Sequence, residues 1–239
     1  MRIAVPGAAQ PSDKALVWDL PTRLFHWSLV TLVAAAFVSA KIGGNAMVWH
    51  GRFGLTILGL LVFRIVWGFV GSTYARFIQF VRGPSAIRAY LRGEWQELGH
   101  NPLGALSVLA LLSVMGLQAA TGLFSNDDIA FEGYLASLIS SGLSSKITGI
   151  HELLEKVLLL LVAAHVGAIV FYVRVKKHNL VQPMLTGWAA GKPDQSATGG
   201  GALAFVIAVL IAASTVWAAS GALLPPPPPA PPPAASPAW

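Results

Sequence analysis

Five apolar stretches dominate the chain, at approximately 24–42, 48–70, 103–124, 148–173 and 202–224, with polar or small-residue segments between them. A helix needs roughly 20 apolar residues to cross the hydrocarbon layer, and each stretch is about that long. The pattern predicts an all-α integral membrane protein: a four-helix transmembrane bundle plus a fifth C-terminal transmembrane helix. Ahead of the first span, Trp18-Asp19-Leu20-Pro21-Thr22 has the polar residue and proline of a helix start, with Arg23 and Trp27 at the interface. Val38-Ser39-Ala40 resembles a signal-peptide cleavage site. The apolar run begins more than twenty residues in, however, behind a lead containing Pro and Asp, which reads as a retained helix.

The connecting segments differ in character. In 72–101, Phe77, Phe80, Val81, Ile87, Tyr90 and Leu91 interleave with four arginines, which predicts short amphipathic helices on the membrane surface, broken at Gly83-Pro84. Attraction of a basic loop to anionic lipid is a sufficient role for it. The segment 125–147 is acidic in its first half, through Asp127, Asp128 and Glu132, and then rich in Ser and Gly. It reads either as a docking surface for a basic partner or as an ordinary solvated loop. Residues 1–190 form the core domain, 191–201 a Gly/Ser-type linker, and 202–224 the fifth helix. The tail, 225–239, is almost entirely Pro and Ala, an extended polyproline segment.

Charge sets the orientation. Arg2, Lys14, Arg23, Arg76, Arg82, Arg88, Arg92, Arg174, Lys176, Lys177 and Lys192 fall on one side of the spans, and only Lys41 and Lys146 on the other. Eleven against two predicts a cytoplasmic N-terminus and a periplasmic C-terminus. The net charge of +6 is then a topology signal and not a nucleic-acid footprint. With only 11% charged residues, against about 25% in soluble domains, a soluble class is excluded. The absence of cysteine excludes disulfides, iron–sulfur clusters, thiolate zinc sites and haem attached through Cys-x-x-Cys-His.

Histidine, methionine and carboxylates remain as metal ligands, and four histidines sit within the apolar stretches. An ionisable ring in a bilayer is costly, so each is a candidate functional group. His26 lies near the inner end of the first span, His50 near the outer end of the second, and His151 near the outer end of the fourth, with His165 deeper. The fourteen residues between His151 and His165 make nearly four turns, leaving both rings on one face about 21 Å apart. Depth then pairs His26 with His165 on the cytoplasmic side and His50 with His151 on the periplasmic side. Two such pairs suit two haem groups, each iron held by two imidazoles and closed to oxygen chemistry. The plainer alternative is four histidines that hydrogen-bond between helices. Zinc is disfavoured, because the pairs lie too far apart to share one tetrahedral site.

Gly51, Gly54 and Gly167 follow the candidate ligands and give a flat macrocycle clearance, although small residues also serve ordinary helix packing. Arg52 and Arg64 lie inside the second span. Each either binds a haem propionate at its own depth or snorkels to headgroups. His100 and His178 read as interfacial and solvated, and neither is assigned to iron.

Trp18-Asp19-Leu20-Pro21-Thr22-Arg23-Leu24-Phe25-His26-Trp27 resembles the opening of the bacterial di-haem cytochrome b561 and nickel–iron hydrogenase b-type cytochrome family. Gly99-His100-Asn101-Pro102-Leu103-Gly104, Thr121-Gly122-Leu123-Phe124 with Asp127-Asp128, His151 with His165, and Asn179-Leu180-Val181 through Met184-Leu185-Thr186-Gly187 extend the resemblance over about 16–190. It implies a b-type cytochrome of the bacterial inner membrane with two non-covalent haem b groups ligated by His26, His50, His151 and His165. It further implies electron exchange between a periplasmic redox partner, such as a c-type cytochrome or hydrogenase, and the quinone pool.

An electron-transfer subunit is therefore expected ahead of an independent enzyme. The alternatives are a stand-alone quinone-linked oxidoreductase of a small substrate such as superoxide, and a structural haem-binding anchor in a larger complex. The fifth span and the proline tail depart from the four-helix pattern and carry no histidine. They are expected to be peripheral and, with the outer loop 125–147, to serve association with a partner or larger membrane complex.

Overall fold

The computed structural model describes residues 13–225, apart from Gln96 and Ala130; the lead 1–12 and nearly all of the proline tail lie outside the described residues. Five helices are long and apolar enough to cross a membrane: α1 (Leu20–Ile42), α2 (Ala46–Val70), α5 (Pro102–Gly122), α6 (Ser141–Arg174) and α8 (Ala202–Ala219). Short elements lie between them: α3 (Phe77–Phe80), α4 (Pro84–Leu91) and α7 (Val181–Thr186), with two three-residue strands, β1 (Lys14–Leu16) and β2 (Trp188–Ala190).

Local chemistry explains the helix ends. Asp19 caps α1 by accepting from Thr22 N at 2.7 Å, with Pro21 in the first turn, and Gly43 ends the helix in a left-handed conformation (φ 69°). Asn101 caps α5 by accepting from Gly104 N at 2.7 Å, again followed by proline. Ser140 caps α6 about two turns earlier than hydropathy alone places the span, because the apolar run is preceded by a Ser-rich stretch that is polar yet helical. In 72–101 the chain breaks between α3 and α4 at Gly83-Pro84, where the proline occupies the first turn of α4.

α1 packs on α2, α5 on α6, and α2 on α5. The shared core gathers Phe25, Leu29, Ile57, Leu61, Trp67, Met115 and Leu158. α6 meets α1 and α2 mainly through side chains. At one end Lys41 Nζ bonds Glu155 Oε1 at 2.8 Å, an exposed pair that orients more than it stabilises. For brevity, the end that holds the start of α1 is called the basic end, and the one that holds 125–147 the acidic end.

The fifth helix is not loosely peripheral. α8 lies along α2, with Ala208 and Ala212 buried in the shared core and Phe205 packed edge-to-face on Phe63 and Trp67. Small residues permit this: Gly59 faces Val216 so closely that a side chain there would strike it. The opposite face of α8, with Leu203, Val206, Leu210 and Trp217, is exposed.

The segment 191–201, expected as a linker, is instead held against the basic end. Ala197 N donates to Leu16 O (2.7 Å), Leu16 N to Ser196 Oγ (3.1 Å), Thr73 N to Thr198 O (2.9 Å) and Tyr74 Oη to Gln195 O (2.6 Å). β1 pairs antiparallel with β2 beside it. Ser196 and Thr198 supply hydroxyl partners, and Gly200 lies so close to Ser72 and Trp67 that a side chain there would strike them, so small size here serves close approach and not freedom.

Ala208, 0% exposed, has no room to grow. Ala208→Leu should destabilise the protein by about 1–3 kcal/mol through overpacking against α2. Ala213→Leu, on the exposed face, should leave thermal unfolding in detergent unchanged. Equal melting temperatures for the two variants would contradict the α2–α8 interface.

Candidate functional site

Between the two histidines, the less exposed positions of α6 are His151, Leu154, Glu155, Leu158, Leu161, Val162 and His165. They recur every three or four residues, a single stripe along the helix, and both histidines stand on it. The fourteen-residue spacing therefore has the geometric result it predicts. The stripe meets α5 through Ser107, Gln118 and Thr121, α1 through Lys41 and α2 through His50.

At the acidic end His50 and His151 meet, with ring centroids 6.1 Å apart and planes nearly perpendicular at 86°. Two imidazoles bound through nitrogen at about 2 Å from one metal ion hold their centroids about 6 Å apart. His50 Nδ1 lies 2.9 Å from the Ala36 carbonyl oxygen. A carbonyl can only accept, so the proton is on Nδ1 and Nε2 is left with a lone pair. His151 follows the same logic. The Gln118 amide nitrogen, which can only donate, is 3.0 Å from His151 Nε2, and Thr121 Oγ1 is 3.1 Å from Nδ1. The Thr121 hydroxyl spends its own proton on the Leu117 carbonyl at 2.8 Å, so it accepts from the ring. Gln118 thus occupies the lone pair that a metal would take, and its own Oε1 is buried without a partner.

Gly122 faces the same ring, and a Cβ there would lie 3.0 Å from His151 Cε1. Gln118, Thr121 and Gly122 carry no assigned role in the sequence reading. The available signal was two polar side chains three residues apart in an otherwise apolar span, one face of one helix.

Toward the basic end, His26 lies within electrostatic reach of His165. His26 Nδ1 is buried with no hydrogen-bond partner, and its ring packs edge-to-face on Trp27 at 5.0 Å. His165 Nδ1 is 3.5 Å from Ser107 Oγ, at the limit of a hydrogen bond. An orphaned buried nitrogen in an apolar span costs free energy unless something absent from the chain accounts for it. Of the glycines expected to give a macrocycle clearance, half-buried Gly54 has open space where a side chain would stand, Gly51 is closed off by the Phe131 ring at 3.1 Å, and Gly167 lies on the exposed face of α6, away from His165. The facing His50–His151 pair, the orphaned His26 Nδ1, the displaceable Gln118 contact and the open space at Gly54 fit flat haem groups seated between the helices.

The two arginines separate. Arg52 is exposed and stands over the Trp49 ring at 4.8 Å. Arg64 is 3% exposed and already engaged, donating to Ala75 O at 3.0 Å, lying over Phe77 at 5.2 Å and interacting with Asp19. His178 is exposed, as expected. His100 is only partly exposed: its ring packs between Trp18 (4.7 Å) and Phe80 (4.6 Å), and Nδ1 is buried without a partner. Burial, then the Arg64 guanidinium and His165, push its pKa down to about 3, so it is neutral at physiological pH. Its aromatic neighbours come from segments distant in sequence, which local patterning does not reveal.

The opening motif has a structural explanation. Asp19 caps α1 with one oxygen and accepts the Trp67 indole N–H with the other at 2.9 Å. Arg23 donates to Leu185 O (2.7 Å) and Trp27 to Met184 O (3.2 Å), tying the motif to the α7 segment.

Comparison with known proteins agrees with this architecture. Over 152 residues the chain is 25% identical to proteins named "Probable Ni/Fe-hydrogenase 1 B-type cytochrome subunit" from Escherichia coli K12 and Escherichia coli O157:H7. The alignment covers 48% of this chain and 64% of each relative, so the chain spans just under two thirds of the relatives it matches. No solved structure is matched. Residues 17–187 match the family described as prokaryotic cytochrome b561. The chain belongs to that family and is a multi-pass membrane protein.

Proposed function

We propose that this cytochrome carries electrons through two haem b groups, each held by two histidines, between a periplasmic redox partner and the quinone pool. His50 and His151 hold the outer haem, and His26 and His165 the inner one. The observation that carries the reading is the approach of His50 to His151 at 6.1 Å, with both Nδ1 protons engaged by fixed acceptors. Haem supplies reversible one-electron chemistry when bound. The chain's own part is to fix ring tautomers, to exclude water and to keep the two sites about 21 Å apart along α6.

The excess of Lys and Arg at the basic end supports a cytoplasmic location for it, in the bacterial inner membrane. The hydrogenase-linked name of the relatives supports a redox protein as partner, and the acidic outer loop is the reason to seek it on the periplasmic side. Loop 125–147 and the exposed face of α8 are the surfaces open to it among the described residues. Arg52, exposed at the outer end, is free to reach a propionate. Arg64 has partners within the protein, which favours a structural role.

Purified protein should contain two non-covalent haem b per chain, with low-spin spectra of double-histidine ligation. A measured ratio of one, or a high-spin ferric spectrum, overturns the pairing. His165→Ala should remove the inner haem and spare the outer, and His151→Ala should do the reverse. If His26→Ala removed the same haem as His151→Ala, the depth assignment would be wrong.

Gly122→Val should also act on one site alone. The added side chain displaces the His151 ring, so the outer haem should fall to well under half occupancy while the inner haem stays. Haem content and the reduced-minus-oxidised spectrum read both. Full outer occupancy in this variant would show that the His151 ring does not need the space at Gly122.

A further inference from the structure

A cavity of about 240 Å³ opens at the basic end, lined by Tyr74, Gln79, Arg82, Glu97, His100 and Gln195 among others, and we propose that it holds the headgroup of a phosphoethanolamine lipid. The inference concerns the surface of the bundle and does not depend on the haem reading above.

Depth is the first argument. α2 ends at Val70 and α5 begins at Pro102, so Tyr74 and His100 stand within about one turn of two span ends. That is the level of lipid headgroups, where tyrosine is favoured. Phe69 at the end of α2 and Ile78 in α3 are exposed apolar side chains on either side of Tyr74 in sequence, and they offer acyl chains a surface. Size is the second. Sites that enclose drug-sized ligands run to about 300–1,000 Å³, so this smaller one takes a headgroup and not a large ring system.

Charge decides between headgroups. The lining carries one cation, Arg82, and one anion, Glu97, while His100 is neutral at physiological pH. That balance matches a zwitterion. Arg82 Nη2 meets Glu97 Oε2 at 3.3 Å with both side chains well exposed, so parting them costs little. A phosphate accepting from Arg82 and an ammonium donating to Glu97 replace one long contact with two charge-assisted bonds. Phosphoglycerol brings no cation and leaves Glu97 facing a phosphate.

Tyr74 separates the zwitterions. Its hydroxyl donates to Gln195 O at 2.6 Å and keeps only acceptor capacity. Burial, then Glu97, raise its pKa, so the hydroxyl stays protonated and the carboxylate lies within its electrostatic reach. Tyr74 and Glu97 together form an acceptor side. A primary ammonium satisfies it with several N–H groups, whereas choline has none. The carbonyl that fixes Tyr74 comes from 191–201, beyond the family match, so this wall of the cavity belongs to the chain's own addition.

The test is native mass spectrometry of the purified, delipidated full chain titrated with phosphatidylethanolamine, phosphatidylglycerol, phosphatidylcholine or free phosphoethanolamine. One phosphatidylethanolamine per chain should be retained in preference to the other three. Glu97→Gln should weaken its binding about tenfold and abolish the preference over phosphatidylglycerol. Arg82→Gln should weaken it by a similar factor. Both side chains are exposed, so an unchanged melting temperature is expected and checks that each variant is folded. Equal or tighter binding of phosphatidylglycerol or phosphatidylcholine by the unmodified chain overturns the inference, as does an unchanged phosphatidylethanolamine affinity in Glu97→Gln. Free phosphoethanolamine binding as tightly as the lipid overturns the membrane as its source.

Discussion

The hydrocarbon layer offers no water to a polar group, so every one that enters it must find its partner within the protein. Asp19 shows how far one such requirement reaches. Its carboxylate starts α1, accepts the indole of the buried Trp67 on α2 and interacts with buried Arg64. Trp67 in turn stacks on Phe63 and receives Phe205 from α8. A single side chain at the basic end thereby fixes α1, α2 and α8 relative to one another. His50, His151 and His165 obey the same rule, through Ala36, Gln118, Thr121 and Ser107, and the buried Nδ1 of His26 is the exception.

That rule also separates the parts that sequence could reveal from those it could not. The spans were legible because lipid demands long apolar runs, and the alignment of His151 with His165 because helical periodicity is fixed. Boundaries were less so: Ser140 begins α6 inside a polar stretch that hydropathy scores as loop. The packing of His100 depends on Trp18 and Phe80, which arrive from other segments, and no local pattern announces it. The packing of α8 hinges on Gly59, Ala208 and Ala212. Small residues favour helix contacts, but alanines fall on every face of α8, so composition did not single out the packed side.

The family match ends at residue 187, and both α8 and the clamped segment before it lie beyond that point. These additions do not alter the histidine cleft, which α1, α2, α5 and α6 bound. They cover the far face of α2 and brace the basic end through Leu16, Thr73 and Tyr74. The additional helix therefore stiffens the scaffold that presents His50, while its outer face stays open to lipid or protein.

α6 also works as a ruler. Because helical rise and rotation are fixed, the stretch between His151 and His165 tolerates almost no change in length. One inserted residue would swing the second ring by about 100°, off the stripe, and lengthen the separation by only about 1.5 Å. Removing seven residues would return both rings to nearly one face but halve the distance between them. Substitutions can accumulate freely on the lipid side of this segment, whereas insertions and deletions cannot, so the interval between these two histidines should vary less among related chains than any loop that joins the helices.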